Sequence, residues 1–359
     1  MSNYKLDIDI SPTLSPNLLH EWKTLWNSST KAHFFNSPLW VITCDSVFNY
    51  KKKAFLRFYE DSKLVGIIPL VASNQIGSII YILPGKGYYD LAPVLFADGN
   101  SSRDGFCIAE TKRLGTCYID ELPSSILSHS LFNEDTRWIY RTSISPYLPM
   151  APDPLRFFSK TKINNLSNRM KSYGGRFSLY SNTGKISSFL PIVYEIEKHS
   201  YKKKNNNDMF SIPVNRIFYE TLASQYKNSI ITHLLYHNDK PVAYDISFKY
   251  ENTVIGVNKA FLSEYSHISP GKILPLYYLK TLFNDGIQHF ILSRGDDSLK
   301  KEFTPYASNQ YGIFITRSRV KKITFIASKS GLNWLRKNNR LYELLRKIKK
   351  RMMSSWRMV

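Results

Sequence analysis

The sequence predicts an α+β fold, and three observations carry that prediction. Helical stripes precede runs of short strands in both halves of the chain. Between Ile230 and Ala260, three strand-like segments follow one another across the short turns His237-Asn238-Asp239-Lys240 and Glu251-Asn252, which fits an antiparallel meander. Of the 359 residues, 43% are hydrophobic, enough for a core in each of two domains of ordinary size. Helices accompanying a largely antiparallel sheet pack on it as layers.

Taken in order, the alternation over Met1–Ile10 predicts a strand. Leu18, Leu19, Trp22, Leu25 and Trp26 make a helical stripe over 16–29. Ser37 suits an N-cap, with Pro38 as the first helical residue. Lys53–Phe58 and Lys63–Val71 are strands about the turn Glu60-Asp61-Ser62. Further short strands are predicted at 77–83, 117–120 and Trp138–Thr142, with loops at 84–90 and 97–105. The prolines from Pro146 to Pro154 read as a connector, dividing the chain into domains 1–150 and 151–320. In the second part, 155–173 is a basic helix stopped by Gly174-Gly175, and Phe177–Tyr180 is a strand. Helices follow at 187–199 and 214–226, with a polar loop over Lys202–Asp208 between them. After the meander come a helix over Ile273–Phe283, a short strand Phe290–Leu292, and a strand Gln310–Thr316 that closes the sheet of the second half.

The net charge is +21, but from Arg317 to Val359 fourteen Lys/Arg stand against one acid, Glu343, so that this segment carries +13 of it. The basic character is therefore mainly that of a tail, 321–359. Leu341, Leu344, Leu345, Ile348 and Met352 share one helical face within 333–359, among Arg346, Lys347, Lys349, Lys350 and Arg351. Such a helix suits an anionic membrane surface, or packing on the body with a solvated basic face. Cys44, Cys107 and Cys117 form no CxxC pair, which fits a reducing compartment, and no metal site is expected. The longest apolar run, Leu64 to Ala72, is too short to cross a bilayer. The expected location is cytoplasmic, and on the first of these two readings the tail lies at the inner face of the membrane.

Several short motifs follow one another along the chain. They are Phe35-Asn36-Ser37-Pro38-Leu39-Trp40, Leu64-Val65-Gly66-Ile67-Ile68-Pro69-Leu70, Ser145-Pro146-Tyr147-Leu148, and the basic helix 156–171. They continue with His199-Ser200-Tyr201-Lys202, Phe218-Tyr219, Lys240-Pro241-Val242-Ala243, Ser269-Pro270-Gly271, and Gly295-Asp296 followed by Lys300. In this the chain resembles the GNAT-type acyltransferases of the cellulose-biosynthesis CelD or BioF2-like kind, relatives of the FemAB peptidyltransferases. The resemblance implies two tandem GNAT-like domains, the first degenerate and the second carrying the reaction. It also implies an acyl-CoA co-substrate, acetyl-CoA first, and an amine or amino-sugar acceptor from the cell envelope. The chain departs from the family pattern at Leu262, at Phe290-Ile291-Leu292, and in having one glycine in Ser266–Gly271.

Acyl transfer to an amine needs a held diphosphate, a polarised carbonyl and a proton acceptor. A helix N-terminus offers open N–H groups and the positive end of the dipole, which makes Ser269, Gly271 and Lys272 the candidates for binding the donor. Asp245 lies inside the apolar strand Val242–Phe248, where burial would shift its pKa. Asp296 can orient an amine or act as base, and Tyr265 can protonate a leaving thiolate. Arg294, Lys300 and Lys202 are candidates for holding substrate. Each has a plainer reading: a strand-to-helix turn, a solvated Gly-Asp-Asp turn, one packing tyrosine among 24. There is no Gly-x-Ser-x-Gly and no Cys with a nearby His, so a direct ternary-complex transfer is expected. Two rivals remain open. One is a FemAB-like transferase, where nucleic acid would enter only as a charged tRNA; the other is a non-catalytic partner in an envelope-polysaccharide complex.

Overall fold

The computed structural model describes residues 4–10, 13–75, 78–99, 101–127, 137–183, 186–226 and 228–337. The chain divides into two compact units. The first takes Met1–Ile144 together with Ser308–Arg336, and the second spans Ser145–Ala307.

The first unit runs β1 (Tyr4–Asp9), α1 (Pro16–Ser28), α2 (Pro38–Phe48), β2 (Lys53–Glu60), β3 (Lys63–Gln75), β4 (Ser78–Ile82), β5 (Leu95–Phe96), α3 (Ser101–Glu110) and β6 (Cys117–Pro123). The stripe predicted for α1 is its buried side, with Leu18, Trp22 and Leu25 inside. Ser37 caps α2 by accepting from the Trp40 amide. The loop expected over 97–105 is instead partly α3. Its Arg103 and Asp104 are buried and paired, Asp104 with Lys31 at 2.5 Å and Arg103 with the Ala97 carbonyl, so that polar positions in its sequence lie on the inner side.

β7 (Arg137–Pro149) carries the chain from the first unit into the second. It extends into the proline segment read as a connector, as far as Pro149. A proline lacks only the donor, and the Pro146 carbonyl still accepts from the Leu292 amide. The second unit continues with α4 (Lys160–Tyr173), β8 (Phe177–Thr183), α5 (Ile186–Lys198), α6 (Tyr201–Lys204), α7 (Pro213–Gln225), β9 (Ile230–His237), β10 (Lys240–Tyr250), β11 (Thr253–Phe261), α8 (Pro270–Asn284), β12 (His289–Ile291) and α9 (Ser298–Phe303). The polar loop expected at Lys202–Asp208 begins as the short helix α6, because the buried Ser200 caps it at the Lys202 amide. β13 (Ala307–Ile315) and α10 (Arg319–Lys337) follow.

The two units have the same strand order. In the first, β1-β2-β3-β4-β6-β13 are neighbours, with β4 and β6 parallel; in the second the order is β8-β9-β10-β11-β12-β7, with β11 and β12 parallel. The strand predicted near Gln310–Thr316 thus exists, but it pairs antiparallel with β6 of the first unit rather than closing the sheet of the second half. A strand pattern specifies a half-buried edge and not which edge it meets. The three cysteines are buried. No helix among the described residues is long and apolar enough to cross a membrane. The basic tail begins as α10, and positions 338–359, with the face Leu341–Met352, lie outside the described residues.

Candidate active site

The site begins with a parting of strands. β11 and β12 are parallel neighbours only over Thr253–Ile255 and His289–Ile291. Beyond that point β11 carries an irregularity opposite Ile246 and Ser247, and the chain leaves β12 through Ser293, which takes a left-handed φ of 65°. The space opened is a cavity of about 320 Å³ whose wall includes Lys202, Asp245, Lys259, Tyr278, Asp297 and Lys300. A smaller void of about 40 Å³ adjoins it, sharing Tyr201, Asp245, Lys259 and Pro275 and reaching Gly271. A larger groove of about 980 Å³ lies beside α5, lined by Ile192, Leu262 and Glu264 among others, and touches none of the nine expected site residues.

Asp245 is 3% exposed. Along β10 its neighbour Tyr244 sends its hydroxyl to Glu197 of α5, while Asp245 Oδ2 accepts from Tyr278 of α8 at 3.0 Å. The alternation of a strand thus sends the two groups to opposite faces. Burial raises the Asp245 carboxyl to about 6, a rise opposed by Lys259, by the Tyr278 and Ser247 hydroxyls and by Lys202. A carboxylate titrating there suits proton acceptance near neutral pH.

Lys202 is held on the opposite wall. Its ammonium donates to Asn258 Oδ1 and lies 3.6 Å from Glu197 Oε1, a carboxylate with 1% of its side chain exposed. Glu197 also accepts from the Phe210 amide at 2.7 Å. Burial lowers the Lys202 pKa, with Glu197 acting against that. Lys300 is buried and donates to the Arg294 carbonyl at 2.5 Å and the Ser293 carbonyl at 3.4 Å. It also stands 3.4 Å from Asp297 Oδ2. Its ammonium therefore ties down the turn at Gly295, whose φ of +117° demands glycine.

At the start of α8, Ser269 is the N-cap in a left-handed conformation, and its hydroxyl accepts from Arg169 of α4 at 3.1 Å. Pro270 has no amide hydrogen, and the Lys272 and Ile273 amides both return to the Ser269 carbonyl. Among the first four residues of α8, the Gly271 amide is the donor that no backbone carbonyl of the described residues takes. A Cβ at Gly271 would meet the Phe261 ring at 3.6 Å, an ordinary contact, so glycine is not required there by crowding within the chain. Lys272 pairs with Glu302 at 3.0 Å, as Lys162 does. An open amide with a guanidinium beside it fits an anionic group.

The structure therefore brings Lys202, Asp245 and Lys300 to one cavity, with Gly271 at the adjoining void. It does not bring the others there. Tyr265 is buried in a ring cluster with Tyr173 and His237, its hydroxyl 3.1 Å from His237 Nδ1. Asp296 is half-exposed and paired with Lys301 at 2.8 Å, while its neighbour Asp297 lines the cavity and caps α9. Arg294, Ser269 and Lys272 line neither void. Lys259, Tyr278, Glu197 and Arg169 were not anticipated. Arg169 lies in the predicted basic helix, but Lys259 becomes a neighbour of Asp245 only through the register of β10 and β11.

Residues 159–301 match the family described as acetyltransferase (GNAT) domain. No curated protein sequence matches the chain. Among solved structures, the chain is similar to FemX at 9% identity, covering 88% of this chain and 99% of that one with a TM-score of 0.62. It is also similar to the C-terminal domain of a putative lysylphosphatidylglycerol synthetase from Agrobacterium fabrum (10% identity, 88% and 95% covered, TM-score 0.56). A conserved protein of unknown function from Bacteroides thetaiotaomicron is a third (13% identity, 86% and 100% covered, TM-score 0.55). At these identities the likeness is one of fold. The family match is to residues 159–301, and it supports an acyltransferase.

Proposed function

We propose that the chain transfers an acyl group from acyl-CoA to an amino group of a sugar or cell-envelope precursor, by direct attack within a ternary complex. The observation that carries this reading is the buried Asp245, raised to about 6 in a cavity next to the void that reaches Gly271. The thioester supplies an activated carbonyl. The Gly271 amide and Arg169 would hold the diphosphate, Lys202 and Lys300 would shape the acceptor side, and Asp245 would take the ammonium proton. The cell-envelope setting rests on the family resemblance and on the similarity of fold to FemX and to a lysylphosphatidylglycerol synthetase domain.

The test is a thermal-shift series with acetyl-CoA, longer acyl-CoAs and free CoA. A ligand that binds only the folded state raises its melting temperature. Gly271→Asp should abolish the shift and spare the fold, since a carboxylate in the first turn of a helix is favourable and there is room for the side chain. An unchanged shift would remove the diphosphate from this place. Thiol release with a panel of amino sugars then identifies the acceptor. A second reading, with aminoacyl-tRNA as donor, is favoured by Arg169 projecting from the basic helix α4 to the mouth of α8. Salt-sensitive tRNA binding without an acyl-CoA shift would select it.

A further inference from the structure

We infer that Lys259 is a catalytic residue, the cation that receives the oxygen of the reacting carbonyl. The inference rests on the acyl-CoA reading above and adds a role that reading left empty. Three observations carry it. Lys259 lies on β11 directly opposite Asp245 on β10, so the two side chains leave the same face with their Cβ atoms about 5 Å apart. It lines both the reaction cavity and the small void that reaches Gly271, and so stands beside Asp245 at their junction. Its ammonium is also uncommitted. Among the described residues Lys202 is taken by Asn258 and Glu197, and Lys300 by two carbonyls and Asp297. Lys259 makes no hydrogen bond or ion pair with any described residue, although it acts on Asp245 through space.

In the step this describes, the acceptor nitrogen forms a bond to the carbonyl carbon and the carbonyl π pair moves to the oxygen, against the Lys259 ammonium. Asp245 takes a proton from the new N–H₂⁺ group. The oxygen's pair then returns, the C–S bond breaks, and the leaving thiolate takes back the proton that Asp245 had accepted, relayed through water, so that one amide, one free thiol and the restored carboxylate result. A fixed cation aimed at developing charge lowers the barrier without tightening the ground state.

Two measurements on the full chain test this. The first is infrared difference spectroscopy of bound acetyl-CoA carrying ¹³C at the carbonyl. In the unaltered protein the C=O stretch should move to lower frequency than in water, and in Lys259→Met it should return to the solution value. Equal frequencies in the two proteins would overturn the assignment. The second uses thiol release with the amino sugar found in the panel. Lys259→Met should lower kcat about a hundredfold with KM for acetyl-CoA unchanged, and Lys259→Arg should recover part of the loss. A variant within threefold of the parent, or one whose KM changes and kcat does not, rejects a catalytic role. If acetyl-CoA fails to bind the unaltered protein, the donor reading falls and takes this inference with it. If it binds and turnover depends on Asp245 but not on Lys259, this inference alone falls.

Discussion

β4 and β6 in the first unit, and β11 and β12 in the second, are both parallel pairs that part after two or three residues, yet the partings are filled in opposite ways. In the first unit Lys86 reaches across with its ammonium 3.5 Å from the centre of the Tyr118 ring and 3.6 Å from Asp120 Oδ2. Tyr89 donates to Asp120 at 2.5 Å, and the Tyr118 and Tyr140 hydroxyls meet at 2.6 Å. Phe325 of α10 lies against the Tyr118 ring. Burial pulls Lys86 down to about 8, against the opposing pull of Asp120. In the second unit the walls are set back by Gly256 and Ser293, and about 320 Å³ stays open. The same backbone event yields a fork filled by side chains in one case and an open cavity in the other. Side-chain size at the fork, not strand topology, decides which one stays open.

The largest expected effect is on Asp245. Asp245→Asn keeps an acceptor for the Tyr278 hydroxyl and removes the base, so kcat should fall about a thousandfold while acyl-CoA still raises the melting temperature. Turnover surviving in that variant would mean that the open fork is not the chamber.

The pH dependence is next. With the carboxyl at about 6, the rate should rise with pH through that value and level off above it. Stability runs the other way. The folded chain keeps the Asp245 proton until about pH 6 and the unfolded chain releases it near 3.8. The folded state therefore binds more protons between those values, and its stability falls as pH rises through them. Asp245→Asn should thus be more stable than the parent above pH 6, by at most about 3 kcal/mol, in urea titrations at pH 5 and 7.5. Equal differences at both pH values would argue against the raised carboxyl.

Tyr278→Phe is a finer probe. The groups acting on Asp245 are Lys259 of β11, Tyr278 of α8, Ser247 of its own strand and Lys202 of α6, with His233 opposite it on β9. Removing one donor to the carboxylate raises its pKa further, so the acid limb of the rate profile should move to higher pH and the rate at pH 7 should fall several-fold. The smallest effect is expected in the first unit. Lys86→Met should cost roughly 1 kcal/mol of stability through the lost cation–ring contact and leave acyl-CoA affinity unchanged. A collapse of affinity in that variant would erase the contrast between the two forks.

Much of the second unit was legible in the sequence because its signals are local. The meander follows from alternation and from turns whose Asn238 and Asp239 adopt φ of 45° and 65°, a conformation these residues tolerate. The start of α8 follows from Ser269-Pro270. The less legible features depend on partners distant in sequence. α3 hides because Arg103 and Asp104 are buried against Lys31 and Ala97, and no periodicity rule anticipates an inward-facing ion pair. Lys259 hides because cross-strand neighbours depend on register, and a slip of one residue sends a side chain to the other face. Asp296 and Asp297 differ only in how the turn at Gly295 aims them. The first meets Lys301 at the surface, and the second caps α9 at the cavity wall.

One consequence of β13 concerns the order of synthesis. The first unit's sheet ends at β6 until Ala307–Ile315 arrives, almost the whole of the intervening unit later. A ribosome therefore holds the first unit unfinished, with the β6 ladder unpaired on that side, while Ser145–Ala307 emerges and can fold. A fragment cut before Ala307 would keep every residue of the cavity yet leave that raw edge free to pair with another chain. Its failure in the test tube would be aggregation rather than lost chemistry.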